Sequence, residues 1–259
     1  MQETKVQDAA QILTTARKEY TRIDALPQDC RPVTIEEGYE IQDELTSRLP
    51  SDIYGWKIGA TSLRARELVG VTSPICGRLL QTNSYHAPAE LHEHPFFMRA
   101  VESEFAFTLS SDLPKIELPY NSSSVIRAIA ALHPAIEISD SRYHDWTQSG
   151  GASLVADNAN DGAFVLGKAI PDWQEIDLTN HPVELKANGK LCANGGGNEV
   201  LDGPLGALAW LANARIKRGD YLKAGQVITT GSCTGVFIAE PGMLIIADFG
   251  ELGSVDCQF

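Results

Sequence analysis

Val101-Glu102-Ser103-Glu104-Phe105-Ala106-Phe107 alternates with period two, the pattern of a β-strand. Glu102 and Glu104 then share one face, and Val101, Phe105 and Phe107 take the opposite, apolar one. Neighbouring carboxylates repel each other, so their face is either wet, as on an edge strand, or shared with a cation. A third carboxylate bears on that choice. Glu137 stands in Ala135-Ile136-Glu137-Ile138, a short apolar run expected to be buried. An unpartnered carboxylate there is costly. Three converging carboxylates make a hard, all-oxygen donor set, better suited to Mg²⁺ or Mn²⁺ than to zinc.

Composition narrows the setting. The chain has 259 residues, of which 43% are hydrophobic and 21% charged, enough for a sizeable core. Its net charge of −13 argues against nucleic acid or an anionic membrane as a main partner. An anionic substrate has to be drawn in by a local positive charge or a metal. Five widely spaced cysteines without a CxxC pair read as reduced thiols of a cytoplasmic protein. The stretch Gln2 to Asp8 is polar, so no signal peptide is expected, and no apolar run approaches the ~20 residues that span a bilayer.

Working outward, residues 5–20 and 34–49 predict helices, the second opened by a Thr34/Glu37 capping box. With Pro27 and Pro32 between them they form a helical lobe over 1–50, followed by a β-rich part over 51–259, read together as one domain. Residues 54–62, Tyr-Gly-Trp-Lys-Ile-Gly-Ala-Thr-Ser, predict a strand, with Ser62 capping a short helix over 63–69. On the residues alone, Lys57 between Trp56 and Ile58 either snorkels to solvent, the preferred reading, or stands in a pocket. Residues 74–79 turn into another strand, and 124–132 predict a helix stopped before Pro134. The Asp- and Asn-rich stretch 155–162 lacks EF-hand spacing and reads as a turn or a polar wall. Residues 183–192 are a hairpin about Asn188-Gly189. The glycines of 194–198 read as a flexible loop, and Pro204 opens a helix reaching about Arg218. Further strands fall at 227–230, 244–248 and 253–259. Short strands without regular βαβ alternation predict an α+β fold around a wrapped, mostly non-parallel β core.

Four motifs then occur in order: Gly-Trp-Lys-Ile-Gly-Ala-Thr-Ser, Glu-Ser-Glu-Phe-Ala-Phe, Pro-Ala-Ile-Glu-Ile-Ser-Asp-Ser-Arg and Thr-Gly-Ser-Cys-Thr-Gly. In these the chain resembles the fumarylacetoacetate hydrolase superfamily, most closely its branch of 2-keto-4-pentenoate hydratases and 4-oxalocrotonate decarboxylases. The likeness runs over nearly the whole chain. It implies a mixed β-roll core with an N-terminal helical lobe. It implies that Glu102, Glu104 and Glu137 hold Mg²⁺ or Mn²⁺ and that Lys57 faces the substrate, against the snorkelling preference. Thr61, Ser62, Ser232 and Thr234 are implied to border the pocket, with Asp157 and Asn158 near it. A homo-oligomer is implied as well.

The chain departs from the branch at two places. Hydratases carry Pro-Asp-Phe/Tyr-Gly where this chain has Pro74-Ile75-Cys76-Gly77, so an acid implicated in proton transfer is missing. They also tend to Asp-Asn-Ala-Ser-Ser where this chain has Asp157-Asn158-Ala159-Asn160-Asp161. Asp161 is the first candidate to take over proton delivery, ahead of Asp140. The resemblance implies a metal-dependent lyase that hydrates a 2-hydroxy-2,4-dienoate to a 4-hydroxy-2-oxo acid, in aromatic catabolism. The alternatives are a 2-oxo acid decarboxylase, a C–C hydrolase, or a non-catalytic metal- and ligand-binding homologue. The Lys57 pKa is expected to be lowered by burial and a metal, with the glutamates opposing.

Overall fold

The computed structural model describes residues 1–259. Six helices and thirteen strands follow one another along the chain. The helices are α1 (Glu3–Lys18), α2 (Ile35–Ser47), α3 (Leu63–Val69), α4 (Ser122–Val125), α5 (Gly151–Ala156) and α6 (Gly203–Lys217). The strands are β1 (Ile53–Gly59), β2 (Ile75–Leu80), β3 (Ser84–His86), β4 (Ala89–Glu90), β5 (Ala100–Leu109), β6 (Ile129–Ser139) and β7 (Asp161–Leu166). They continue with β8 (Pro182–Ala187), β9 (Lys190–Gly196), β10 (Val227–Ser232), β11 (Phe237–Ile238), β12 (Leu244–Asp248) and β13 (Ser254–Gln258).

The strands make two sheets. The larger runs β2-β1-β10-β5-β6-β7-β3, with β11 added on β5, and the smaller runs β4-β13-β12-β8-β9. Most pairings are antiparallel; β1–β10, β3–β7 and β4–β13 are parallel. This is the mixed helix-and-sheet architecture expected, with an N-terminal pair of helices. Period two sorts β5 as its sequence requires. Phe105 packs against Phe249 from the end of β12, with ring centroids 5.1 Å apart, and Phe107 against Trp173. Glu102 and Glu104 project from the other face.

The capping box of α2 is complete: Glu37 N donates to Thr34 Oγ1 at 3.2 Å, and Thr34 N to Glu37 Oε2 at 3.2 Å. Ser62 caps α3 through Ala65 N. Helices α1 and α2 do not stand apart from the sheets. Ala10, Leu13, Ile41 and Leu45 close with Tyr143 and with Leu154 and Ala156 of α5 into a cluster of ten buried residues. Helix α2 is tied to β2, where Cys76 N donates to Tyr39 Oη at 2.9 Å and Gln42 Nε2 donates to the Cys76 carbonyl at 3.0 Å.

Two local expectations are corrected. Over 124–132 the helix is only α4 with one 3₁₀ turn (Ile126–Ala128), and β6 starts at Ile129 and runs through Pro134. The proline is tolerated for a geometric reason. Its carbonyl accepts from Gly167 N at 2.8 Å, so its nitrogen points to the same side, and the Gly167 carbonyl that a backbone N–H would have bonded takes His133 Nδ1 at 3.0 Å instead. Residues 194–198 are not a flexible loop: β9 extends to Gly196 and a 3₁₀ turn follows. A Cβ on Gly195 would lie 2.0 Å from the Cys233 carbonyl oxygen, so glycine here serves close packing. Residues 155–162 hold the expected turn, but buried: α5 ends at Ala156, a 3₁₀ turn covers Asn158–Asn160, and β7 starts at Asp161.

Candidate functional site

Four adjacent strands carry the site. In register, Glu102 of β5 lies opposite Glu137 of β6, Glu104 opposite Ser232 of β10, and Lys57 of β1 opposite Thr229 of β10. The sheet thereby brings together side chains from four distant segments of sequence. One carboxylate oxygen from each of Glu102, Glu104 and Glu137 lies within 4.8 Å of the others. The three form the floor of a cavity of about 640 Å³.

Each carboxylate is held differently. Glu104 Oε2 accepts from Gly231 N at 2.7 Å and from the Thr229 hydroxyl. Glu137 pairs with the Lys57 ammonium and accepts from Ser139 Oγ at 2.9 Å. The same hydroxyl reaches Glu102 Oε2 at 3.4 Å. Lys57 Nζ also donates to the Ala159 carbonyl oxygen at 2.8 Å. Lys57 is buried, so it stands in the pocket and does not snorkel.

One ammonium therefore faces three carboxylates. Burial, followed by the charge of Glu137, pushes the Glu102 carboxyl up to about 7. Burial, Glu137 and Glu102 together push Glu104 well above the usual carboxylate range. Burial alone pulls the Lys57 ammonium down, as expected, but Glu137, Asp161 and Glu102 outweigh it, and the net shift is upward. A floor of hard oxygen donors with uncompensated negative charge fits a divalent cation such as Mg²⁺.

The walls are mixed. Ile58, Leu68, Val69, Ile75 and Leu154 supply apolar surface, and Thr61, Ser62, Asn160, Ser232 and Thr234 supply polar atoms. Ile75 lines the cavity where the hydratase motif places an acid, so no proton donor stands at that point.

Residues 86–259 match the model of the fumarylacetoacetate (FAA) hydrolase C-terminal family. The chain belongs to the fumarylacetoacetate hydrolase family. It is 30% identical over 256 residues to the 2-keto-4-pentenoate hydratase of Paraburkholderia xenovorans (strain LB400), covering 98% of this chain and 94% of that protein. It is 30% identical over 240 residues to the 4-oxalocrotonate decarboxylase of Pseudomonas putida, covering 92% and 90%. The solved structure of 4-oxalocrotonate decarboxylase from Pseudomonas putida G7, complexed with magnesium and adipate, matches with a TM-score of 0.91 at 29% identity. That match covers 100% of this chain and 98% of the other.

Within this family fold, eight of the residues singled out from sequence line one cavity: Lys57, Thr61, Ser62, Glu102, Glu104, Glu137, Ser232 and Thr234. Four others do not. Asp157 and Asn158 are fully buried behind the wall, where Asp157 pairs with Arg17 and Asn158 brackets the backbone of Arg78. Asp161 is buried behind the floor, its Oδ2 3.9 Å from Arg17 Nη1 and without a hydrogen bond; burial raises its carboxyl to about 6. Asp140 is spent on structure, accepting from Phe97 N and Met98 N. Sequence reading missed Ser139, Thr229, Asn160 and the Ala159 carbonyl. Ser139 was within reach, because it follows Glu137 by two residues on one strand face. Asn160 was not, because its direction is set by a turn that no periodicity announces.

Proposed function

We propose that this chain is a divalent-cation-dependent lyase that adds water to a short 2-hydroxy-2,4-dienoate, giving a 4-hydroxy-2-oxo acid. Glu102, Glu104 and Glu137 would hold the Mg²⁺ or Mn²⁺. The observation that carries this reading is the carboxylate triad with the Lys57 ammonium against Glu137, on a chain 30% identical to named hydratases along nearly its whole length. A cation so held supplies a Lewis acid that stabilises negative charge on a substrate oxygen.

The chain's own residues do the rest. Thr229 and the Gly231 amide fix Glu104, and Ser139 ties Glu102 to Glu137, so the floor is preorganised. Lys57 Nζ is the group placed to hold or move a proton at the floor. Thr61, Ser232 and Thr234 orient a bound acid, while Ile58, Ile75 and Leu154 exclude water. Asp161 acts from behind as a buried carboxylate near Lys57 and does not touch substrate.

A second reading is decarboxylation of a related 2-oxo acid. Ile75, standing where hydration calls for an acid, favours it. Both readings place the chain in cytoplasmic breakdown of small acids derived from aromatic compounds, as a homo-oligomer. Exposed Leu63, Leu68, Val236 and Ile238 support assembly, and no helix is long and apolar enough to cross a membrane. The test follows dienoate absorbance and CO₂ release with Mg²⁺, then after EDTA. Water addition abolished by EDTA is expected. Turnover that survives full chelation overturns the metal dependence, and CO₂ release without water addition selects the second reading.

A further inference from the structure

Residues 158–160 shape the cavity wall in a way no regular element imposes. Asn158, Ala159 and Asn160 have φ of 53°, 54° and 59°, three left-handed residues in succession. Each costs of order 1 kcal/mol, asparagine least, so the turn persists only if its surroundings hold it. Two clasps do. Asn158 Oδ1 accepts from Arg78 N at 2.7 Å, and its Nδ2 donates to the Arg78 carbonyl at 2.8 Å. Gly77 admits this approach, since a Cβ there would lie 2.4 Å from the Asn158 carbonyl oxygen.

The second clasp comes from α1. Arg17, with only 9% of its side chain exposed, donates from Nε and Nη2 to Asp157 Oδ1 at 3.1 and 2.8 Å. Nη2 also reaches the Asp157 carbonyl at 2.8 Å, and Nη1 the Asp161 carbonyl at 3.3 Å. One guanidinium thus spans both ends of the left-handed turn. Arg142 N completes the coordination of Asp157 through Oδ2 at 2.8 Å. What the turn presents is the Ala159 carbonyl to Lys57 Nζ, and Asn160 to the cavity.

We propose that Arg17 is a positioning residue of the site: its fork holds residues 157 and 161 so that the Ala159 carbonyl fixes the Lys57 ammonium against Glu137. The helical lobe is then part of the site's construction, contributing through a residue that never touches substrate. Lysine cannot replace the fork, because its donors all radiate from one nitrogen on a flexible stem, whereas Arg17 reaches the Asp157 oxygens and the Asp161 carbonyl from separate, rigidly spaced nitrogens.

The test uses the full chain in four forms: the parent, Arg17→Lys, Lys57→Met, and the double variant. Arg17→Lys keeps a cation for buried Asp157 and so preserves folding, which Arg17→Met would endanger. In its crystal structure the Lys57–Ala159 contact is expected to open beyond about 3.5 Å. In the kinetic arm, which rests on the dienoate reading above, Arg17→Lys lowers kcat about tenfold, the scale of a displaced acid–base group. KM and Mn²⁺ affinity stay within about threefold. In the Lys57→Met background the same substitution changes kcat by less than about twofold, because the two residues act as one unit. An intact Lys57–Ala159 contact, no loss of kcat, or an equal loss in both backgrounds overturns the proposal. If the parent turns over no dienoate, the functional reading fails by itself and the crystallographic arm alone decides.

Discussion

The floor of the cavity and the wall over residues 157–161 are both rich in buried acids, yet they are built on opposite electrostatic terms. On the floor, three carboxylates share one ammonium, and burial pushes Glu102 and Glu104 toward their protonated forms. In the wall, Asp157 has both oxygens engaged, Oδ1 by the Arg17 fork and Oδ2 by the Arg142 amide. The floor leaves negative charge uncompensated, which is what a cation site requires. The wall spends its charge on holding a turn. Acidic composition alone therefore separates neither role; the number of carboxylates set against each cation does, three against Lys57 and one, Asp157, at hydrogen-bond distance from Arg17.

Substitutions can break this contrast, the largest effect coming from the wall. Asp157→Asn leaves Arg17 without its charge partner in a buried setting and is expected to cost about 3–5 kcal/mol of stability. Urea denaturation with chelator present measures it, and a loss below about 1 kcal/mol would dissolve the distinction between wall and floor. On the floor, Glu137→Gln removes one of three charged donors. Mn²⁺ affinity should fall by about 100-fold, or ~2.7 kcal/mol, by calorimetry. Binding as tight as the parent's would remove Glu137 from the metal set.

Lys57→Met sharpens the comparison, since Lys57 is where wall and floor meet. With Mn²⁺ bound, the melting temperature should stay within a few degrees of the parent while turnover falls at least about tenfold. Unchanged turnover at full metal loading would make Lys57 a structural counter-ion only.

The smallest effect is a pH dependence. Glu102, raised to about 7, and Asp161, raised to about 6, hold protons in the folded chain that the unfolded chain has already released, for burial is the leading cause in each. Stability from these groups is thus fully present below the ordinary carboxylate range and is lost as pH rises through 6 and 7. In EDTA the melting temperature should drop by a few degrees between pH 5 and pH 8. Mg²⁺ should reduce that drop, because a cation offsets the floor but leaves Asp161 as it was. A melting temperature that rises over this interval in EDTA would mean the floor is already neutralised by groups of the chain.

The same contrast explains what could be read in advance. The capping box at Thr34, the Asn188-Gly189 hairpin and the strand face bearing Glu102 and Glu104 were all legible, since each depends on residues a few positions apart. The helix expected over 124–132 failed because tertiary pairing of Ile129–Ser139 between β5 and β7 outweighed a local aliphatic pattern. The glycines of 194–198 misled for a related reason, since a glycine needed for close approach to Cys233 looks the same in sequence as one needed for mobility.

By itself the sequence determined the floor. A strand's two-residue period sets Glu102 beside Glu104 whatever surrounds them, and the apolar run around Glu137 compels that carboxylate to find company. Only the tertiary structure decided the wall. Left-handed backbone at Asn158, Ala159 and Asn160 has no period to announce it, and it persists here because Arg17, some 140 residues away in sequence, reaches across to clasp it. Hence Asp157 and Asn158 turned from expected substrate contacts into supports, and Asn160 and the Ala159 carbonyl took the places facing the cavity and Lys57.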